Sequence, residues 1–268
     1  MSDPSPDPTD STERPEGDAG DLPPELDRVA GPGTATWPEL LDRYSSTAPS
    51  PRRSELHRTA DALRRIIHRL HASPAPAEEL AAAADELEEL ARRLDAFPGG
   101  SLYEGFSESP LAGPDPHAFF DHSPMLGRAN PLAPPIELWA EGDVMRGRVT
   151  FGAAYEGPPG CVHGGYVAAA FDEVLGSTQS LAGRPGMTAR LTVNYRSPTP
   201  LHTELVFEGR VTEVSGRKTF TYGTVHAGDT LCAESEALFV AIDFRKVAEM
   251  QEVRDRAFGP RATGEPGG

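Results

Sequence analysis

Two stretches in the N-terminal third place apolar residues at the three- and four-residue spacing of one helical face. In residues 54–71 these are Leu56, Ala60, Leu63, Ile67 and Leu70, and in residues 77–96 they are Leu80, Ala84, Leu87, Ala91 and Leu94. The intervening ASPAPA holds two prolines, which break a helix and turn the chain. The pattern predicts an antiparallel helical hairpin. Because each stripe is narrow, the hairpin must pack against either the main domain or another copy of the chain.

The second half of the chain changes to the two-residue period of β-strands. Strands are predicted at 136–140, 144–151, 187–196, 204–214, 218–226 and 230–243, with turns at EGD, SPTP, SG and AGD. One helix, which begins near His163, interrupts this run. Successive hairpins imply an antiparallel sheet, and a lone apolar helix beside it must be wrapped by that sheet. The predicted fold class is therefore α+β.

The predicted central helix is apolar nearly all round, yet in the segment GPPGCVHGGYVAAAFDEVLG one carboxylate, Asp172, lies where a core residue would be expected. An ionised carboxylate in apolar surroundings is costly unless it has partners. Asp172 therefore either lies on a wet edge of the helix beside Glu173 or has a chemical role. The sequence leaves both interpretations open at this point.

The loop before this helix favours the chemical role. Its glycines permit close backbone approach, and it leads into a helix N-terminus, where unpaired N–H groups favour negative charge. The Gly165 N–H could stabilise a carbonyl oxygen that becomes an oxyanion. Asp172 lies about 10 Å further along the axis, too far to act on the same carbonyl. A two-fold dimer with antiparallel helices, combining Gly165 of one subunit with Asp172 of the other, removes the difficulty.

Polar residues elsewhere could bind a ligand. In MTARLTVNYR the alternation predicts that the row from Met187 to Tyr195 covers the helix and that Thr188, Asn194 and Arg196 face outward. In SGRK, Arg217 and Lys218 flank a tight turn where a phosphate could be held. A solvated sheet face and an ordinary hairpin turn are the plain alternatives.

Charge and composition narrow the class of protein. The 268 residues carry a formal net charge of −16, which argues against nucleic acid or an anionic membrane as a general partner. No apolar run approaches a membrane span, and no signal-peptide pattern begins the chain, so a cytoplasmic protein without membrane insertion is expected. Cys161 and Cys232 lack metal-ligand spacing, and His68 with His71 lacks a nearby third ligand, so no metal site is predicted.

Composition also divides the chain. Residues 1–48 are predicted to be a disordered, acidic, proline-rich leader, with nine acids against two arginines in the first thirty positions. Residues 50–97 form the hairpin, 98–124 a connector, 125–246 the main domain, and 247–268 a tail with a short helix followed by disorder.

Several of these motifs together resemble the hotdog-fold acyl-CoA thioesterases of the phenylacetate-pathway (PaaI-like) type. The resemblance covers about residues 125–243 and rests on HGG, the spacing to Asp172, GMTARLTVNYRSPTPL with Tyr195, and SGRK. It implies a long helix wrapped by a curved antiparallel sheet, homodimers or dimers of dimers, and hydrolysis of acyl-CoA without a cofactor, since coenzyme A is part of the substrate.

The resemblance also implies roles for particular residues. Asp172 would be the general base or a nucleophile that forms an anhydride. Gly165 would supply the oxyanion-hole N–H, and the adjacent Gly164 would contact the substrate. His163 would orient the thioester, and Thr188 would assist the carboxylate. The expected contacts to coenzyme A are Asn194, Arg196, Arg217 and Lys218. A non-catalytic acyl-CoA sensor, an interaction protein and a hotdog enoyl-CoA hydratase remain alternatives. The hairpin and the leader lie outside the minimal family domain.

Overall fold

The computed structural model describes residues 37–97, 120–183 and 186–241, and its core is a six-stranded antiparallel sheet with one long helix packed against it. The helices are α1 (Trp37–Ser46), α2 (Pro51–Leu70), α3 (Ala77–Asp95) and α4 (Gly164–Ser180). The strands are β1 (Glu137–Glu141), β2 (Val144–Thr150), β3 (Gly186–Tyr195), β4 (Glu204–Ser215), β5 (Lys218–Ala227) and β6 (Thr230–Ala241). The strand order is β1-β2-β4-β5-β6-β3, so β3 lies at one edge. Every predicted strand is confirmed.

Three hairpins of the sheet close through two-residue turns that use glycine. Gly142, Gly216 and Gly228 have φ angles of 61°, 56° and 56°, a region that other L-residues rarely adopt. Such turns match the right-handed twist of paired strands. The turns therefore fix the register of β1 with β2, of β4 with β5 and of β5 with β6.

Helix α4 is buried along the face that meets the sheet. Phe171, Val174 and Leu175 have no exposed surface, and the Phe171 ring meets Phe207 of β4 edge to face at 5.2 Å. A Cβ on Gly209 of β4 would lie 2.2 Å from the Thr178 Oγ1, so glycine is required for this close approach. The α+β arrangement is confirmed as the hotdog fold expected from the resemblance.

Helix α2 is joined to this domain by buried polar groups. The fully buried Asp121 carboxylate accepts one hydrogen bond from Arg53 and pairs with the His57 ring, both at 2.8 Å. The Arg64 guanidinium donates to four backbone carbonyls of the segment 127–133. Because an unpaired buried charge is costly, these contacts make α2 part of the domain.

Helix α3 is also confirmed, but its surroundings differ from those of α2. No residue of α3 is buried, and neither α2 nor any other described element packs along it. A six-residue segment, 71–76, joins the two helices. The hairpin was expected to pack on either the main domain or another copy of the chain. Within the described residues, the main domain covers α2 but not α3.

Helix α1 shortens the predicted leader, which was placed at residues 1–48. It lies against β1, and Leu41 is 5% exposed within the core. Helix α1 thus packs on a strand, β1, that is about a hundred residues further along the chain. Residues 1–36, 98–119 and 242–268, with most of the leader, the connector and the tail, lie outside the described residues. None of the described helices is long and apolar enough to cross a membrane.

Candidate active site

The N-terminal end of α4 is capped by the side chain of the residue that precedes it. His163 has extended backbone angles, and its Nδ1 accepts a hydrogen bond from the Gly165 N–H at 3.0 Å. As an acceptor, Nδ1 carries no proton. A Cβ on Gly165 would lie 3.1 Å from that Nδ1, so a larger residue here would require the imidazole to shift by a few tenths of an ångström. The Gly165 N–H, the predicted oxyanion donor, is thus hydrogen-bonded to His163 in this structure.

The same helix end is joined to β3 by Tyr195, a residue to which the sequence assigned no role in the site. The Tyr195 hydroxyl donates to the Gly164 carbonyl at 2.7 Å. A Cβ on Gly164 would lie 3.1 Å from this hydroxyl oxygen. Each glycine of the pair therefore has its own close neighbour. Tyr195 belongs to the row of alternating residues from Met187 that was predicted to cover the helix. That position was the sequence signal for its contact with α4.

Asp172 lies two turns further along α4 and is exposed in the single chain, so it occupies the wet edge of the helix that the sequence left open as one alternative. The Thr188 hydroxyl of β3 donates to its Oδ1 at 2.8 Å. Gly165 and Tyr166 are exposed as well. The sheet buries one face of the helix, and these three residues lie outside that face, with Asp172 beside the edge strand β3.

Thr188 faces the helix, contrary to the outward orientation that strict alternation predicted. The register of β3 against β6 shifts between Thr188 and Arg190, which marks a β-bulge. One extra residue in a strand reverses which face the side chains on either side of it occupy. Leu191 and Val193 pack on the core as predicted, while Met187 is 38% exposed. The bulge thus aims both Thr188 and Tyr195 at α4.

The two functional ends are far apart within one chain. Seven residues of helix separate the Gly165 amide from Asp172, a rise of about 10 Å. Thr188 and Tyr195 lie near opposite ends of β3. A single chain therefore presents an amide end and a carboxylate end, and it does not bring them to one carbonyl group.

The predicted coenzyme A contacts divide between these ends. At the amide end, Asn194 is exposed and Arg196 forms an ion pair with Glu234, whose pKa is lowered by hydrogen bonds from Arg196 and Tyr222. At the carboxylate end, Arg217 donates to the Ala241 carbonyl at 2.7 Å, and Lys218 begins β5. Ala241 pairs with Gly186, two residues before Thr188.

The loop that leads to His163 rests on α2. His68 Nδ1 accepts a hydrogen bond from the Ala154 N–H at 3.1 Å. The pKa of His68 is lowered, first by burial and then by His202, Arg64 and His71 nearby. The Tyr155 ring lies between His68 and Tyr166 of α4, with centroid distances of 5.6 and 4.9 Å. His68 therefore supports the loop, a role that the helical pattern of residues 54–71 does not indicate.

Tyr155 fixes the same loop by its hydroxyl and its backbone. The hydroxyl donates to the Leu132 carbonyl at 2.9 Å, and burial raises the pKa of Tyr155 to about 12. The Tyr155 carbonyl accepts a hydrogen bond from the His163 N–H at 2.8 Å. His163 is thus held by its backbone as well as by its ring. Among the described residues, no group of three or more His, Cys, Asp or Glu side chains is arranged to hold a metal ion.

Comparison with known proteins places this site in a family. Residues 159–234, which contain both ends of the site, match the model of the Thioesterase superfamily. A crystal structure of a protein described as a thioesterase superfamily protein is 34% identical, with a TM-score of 0.59, and the match covers 69% of this chain and 94% of that one. The chain belongs to the thioesterase superfamily.

Part of the chain is also similar to named acyl-coenzyme A thioesterases. The acyl-coenzyme A thioesterase THEM4 of Xenopus laevis is 37% identical over 93 residues, which are 34% of this chain and 42% of the relative. The human acyl-coenzyme A thioesterase THEM5 is 29% identical over 97 residues, which are 35% of this chain and 39% of the relative. The chain therefore matches less than half the length of these curated relatives.

Proposed function

We propose that the protein hydrolyses acyl-CoA thioesters to the free acid and coenzyme A. The superfamily and the printed activity of the THEM4 and THEM5 relatives support this reaction. The observation that carries the proposal is Asp172, an exposed carboxylate on the central helix, oriented by the Thr188 hydroxyl at 2.8 Å. A carboxylate held in this way can accept a proton from an attacking water.

The amide end of α4 supplies the complementary group. Attack on a thioester carbonyl turns its oxygen into an oxyanion, and N–H donors at a helix N-terminus stabilise such a charge. The Gly165 N–H donates to His163 Nδ1 in this structure. In the proposed reaction, the substrate carbonyl replaces the imidazole as the acceptor, and the released His163 side chain orients the thioester.

The proposed site needs two chains. Within the described residues, β3 pairs with β6 on one side only, and most of its residues are exposed. The face of α4 that carries Gly165 and Asp172 is also uncovered. A two-fold axis that sets two copies of α4 antiparallel brings the amide end of one beside Asp172 of the partner subunit. The covering partner also removes water from the carboxylate.

This pairing explains why the candidate coenzyme A contacts are divided. Asn194 and Arg196 lie at the amide end, whereas Arg217 and Lys218 lie at the carboxylate end. The two-fold axis that brings Gly165 beside the partner's Asp172 also brings the amide-end contacts of one subunit near the carboxylate-end contacts of the other, around one ligand. Local cations favour a phosphate-bearing ligand on a chain whose net charge is −16.

Two routes lead from this geometry to products. Either Asp172 activates a water that attacks the thioester, or Asp172 attacks it directly and water then opens the resulting anhydride. Single-turnover hydrolysis in ¹⁸O-labelled water separates them. Label in the Asp172 carboxylate supports the anhydride, and its absence supports direct attack by water.

Differently tagged chains purified as heterodimers test the shared site. Gly165→Pro removes the proposed donor in the first helical turn, where proline is tolerated, and Asp172→Asn removes the base. A heterodimer of these two variants keeps one intact site and should show about half the wild-type activity. The readout is thiol release from a panel of acyl-CoAs.

The matched control places both substitutions in one chain and pairs it with a wild-type chain. A shared site predicts that this heterodimer is inactive, because each site then contains one substitution. Sites confined to single chains predict the reverse for both heterodimers. Thermal unfolding confirms that each variant folds. Binding of acyl-CoA without thiol release in the wild-type protein would contradict hydrolysis.

A further inference from the structure

Helix α3 presents an apolar stripe along which no described element packs; its two central leucines, Leu87 and Leu90, are half-buried, and its outer residues are exposed. Leu80 is 40% exposed, Leu94 is 55% exposed, and Phe97, just beyond the helix, is 70% exposed. The helix has 19 residues. In proteins, most of the stability of a helix comes from the packing of its apolar face. The stripe therefore calls for a partner.

The spacing of the stripe defines the kind of partner. Leu80, Leu87 and Leu94 recur every seven residues, and so do Ala83, Leu90 and Phe97, offset by three. These are the a and d positions of a heptad repeat, the pattern of helices that pair as coiled coils. No charged residue occupies an a or d position. The stripe is thus suited to another helix of the same kind.

We propose that α3 pairs in antiparallel orientation with α3 of a second copy of this chain. Antiparallel pairing puts Leu80 opposite Phe97 of the partner subunit, Ala83 opposite the partner's Leu94, and Leu87 opposite the partner's Leu90. Each layer thus joins an a residue to a d residue. Ala84 and Ala91 flank the seam on one side, and their small side chains allow the two helices to approach closely.

Charges at the flanking positions support this orientation. Glu86 and Arg93 both occupy g positions, and neither makes an ion pair within the described residues. In an antiparallel pair, Glu86 faces the partner's Arg93, and the two-fold repeats the contact. A parallel pair would instead set Glu79 and Glu86 against alanines, without ionic partners. Charges at these positions set the orientation of coiled coils.

Charge-reversal variants of the full-length protein test the pairing by sedimentation velocity over a range of concentrations. Glu86→Arg creates two repulsive pairs and should weaken self-association about tenfold. The double variant Glu86→Arg/Arg93→Glu exchanges the partners and should restore it. The matched control is Asp85→Arg, which makes the same charge change on the opposite face of the helix and should leave self-association unchanged.

A core variant provides the larger effect. Leu87→Asp puts two carboxylates into the apolar seam and should weaken the same association step about a hundredfold. Equal association of Leu87→Asp and wild type would overturn the proposal, and so would a double variant that associates no better than Glu86→Arg. The proposal is distinguishable from the proposed function, because the α3 variants change only the association step that depends on α3 and leave intact the pairing through α4 and β3 on which hydrolysis depends. Thermal unfolding of the main domain shows that each variant folds.

Discussion

The two ends of α4 differ in how firmly the chain holds them. At the amide end, His163 is bound through its backbone and its ring, Tyr195 holds Gly164, and the Tyr155 ring packs on Tyr166. At the other end, the Asp172 carboxylate accepts a hydrogen bond from Thr188 and is otherwise open to solvent in the described part of the chain. Contacts within one chain therefore fix the amide end, whereas the carboxylate end has few contacts within the described residues and is open to a partner subunit or a substrate.

The largest expected effect is at the carboxylate end. Asp172→Asn removes the proposed base but keeps the shape of the side chain, so kcat for acyl-CoA hydrolysis should fall about a thousandfold. The free energy of unfolding should change little, because the side chain is exposed. Thiol release and urea unfolding measure the two quantities. The neighbouring Glu173→Gln is the matched control and should retain most activity. Retention of most hydrolysis by Asp172→Asn would refute the role assigned to it.

A pair of hydroxyl deletions sharpens the contrast between the ends. Thr188→Val loses only the contact with Asp172, so kcat should fall about tenfold with little change in unfolding free energy. Tyr195→Phe loses the bond to the Gly164 carbonyl and should destabilise the protein by about 1 kcal/mol, with a smaller effect on kcat. Kinetics and urea unfolding of both variants give the comparison. The reverse pattern would show that the ends are not held as described.

The smallest expected effect concerns pH and the support beneath the amide end. The pKa of folded His68 is lowered from its ordinary value of 6.5, so the unfolded chain binds this proton more readily. The stability that neutral His68 contributes is present above pH 6.5 and is lost as pH falls through the lowered pKa. Urea unfolding between pH 5 and 7.5 should therefore show a shallower pH dependence for His68→Gln than for wild type. Parallel curves would exclude this contribution.

Periodicity predicted the elements of the fold because each strand and helix has one apolar face that must be buried. It could not predict where α3 packs, since an apolar stripe does not identify its partner. Helix α2 is different because it carries Arg53, His57 and Arg64, whose buried contacts anchor it to residues 121–133. Pairings across so many residues cannot be read from local spacing.

The candidate site was predictable as a list of residues but not as a geometry. One motif predicted the site residues Asp172, Gly165 and His163. The rise of a helix predicted the distance between the Gly165 amide and Asp172. The bulge beside Thr188 has no local signal in an alternating sequence, so the predicted face was wrong. The cap on the Gly165 amide also depends on a side-chain rotation of His163 that spacing does not determine.

The burial of Asp121 has a consequence for how this protein can be shortened. A fragment trimmed to the stretch that matches the family model would begin at residue 159 and lose β1 and β2, which pair with each other and with β4. A milder cut just before residue 120 would remove Arg53 and His57, the two side chains that pair with the Asp121 carboxylate, together with the helix that carries them. The smallest autonomous folding unit should therefore begin no later than α2, well upstream of residue 159, and expression trials of truncated forms should start there.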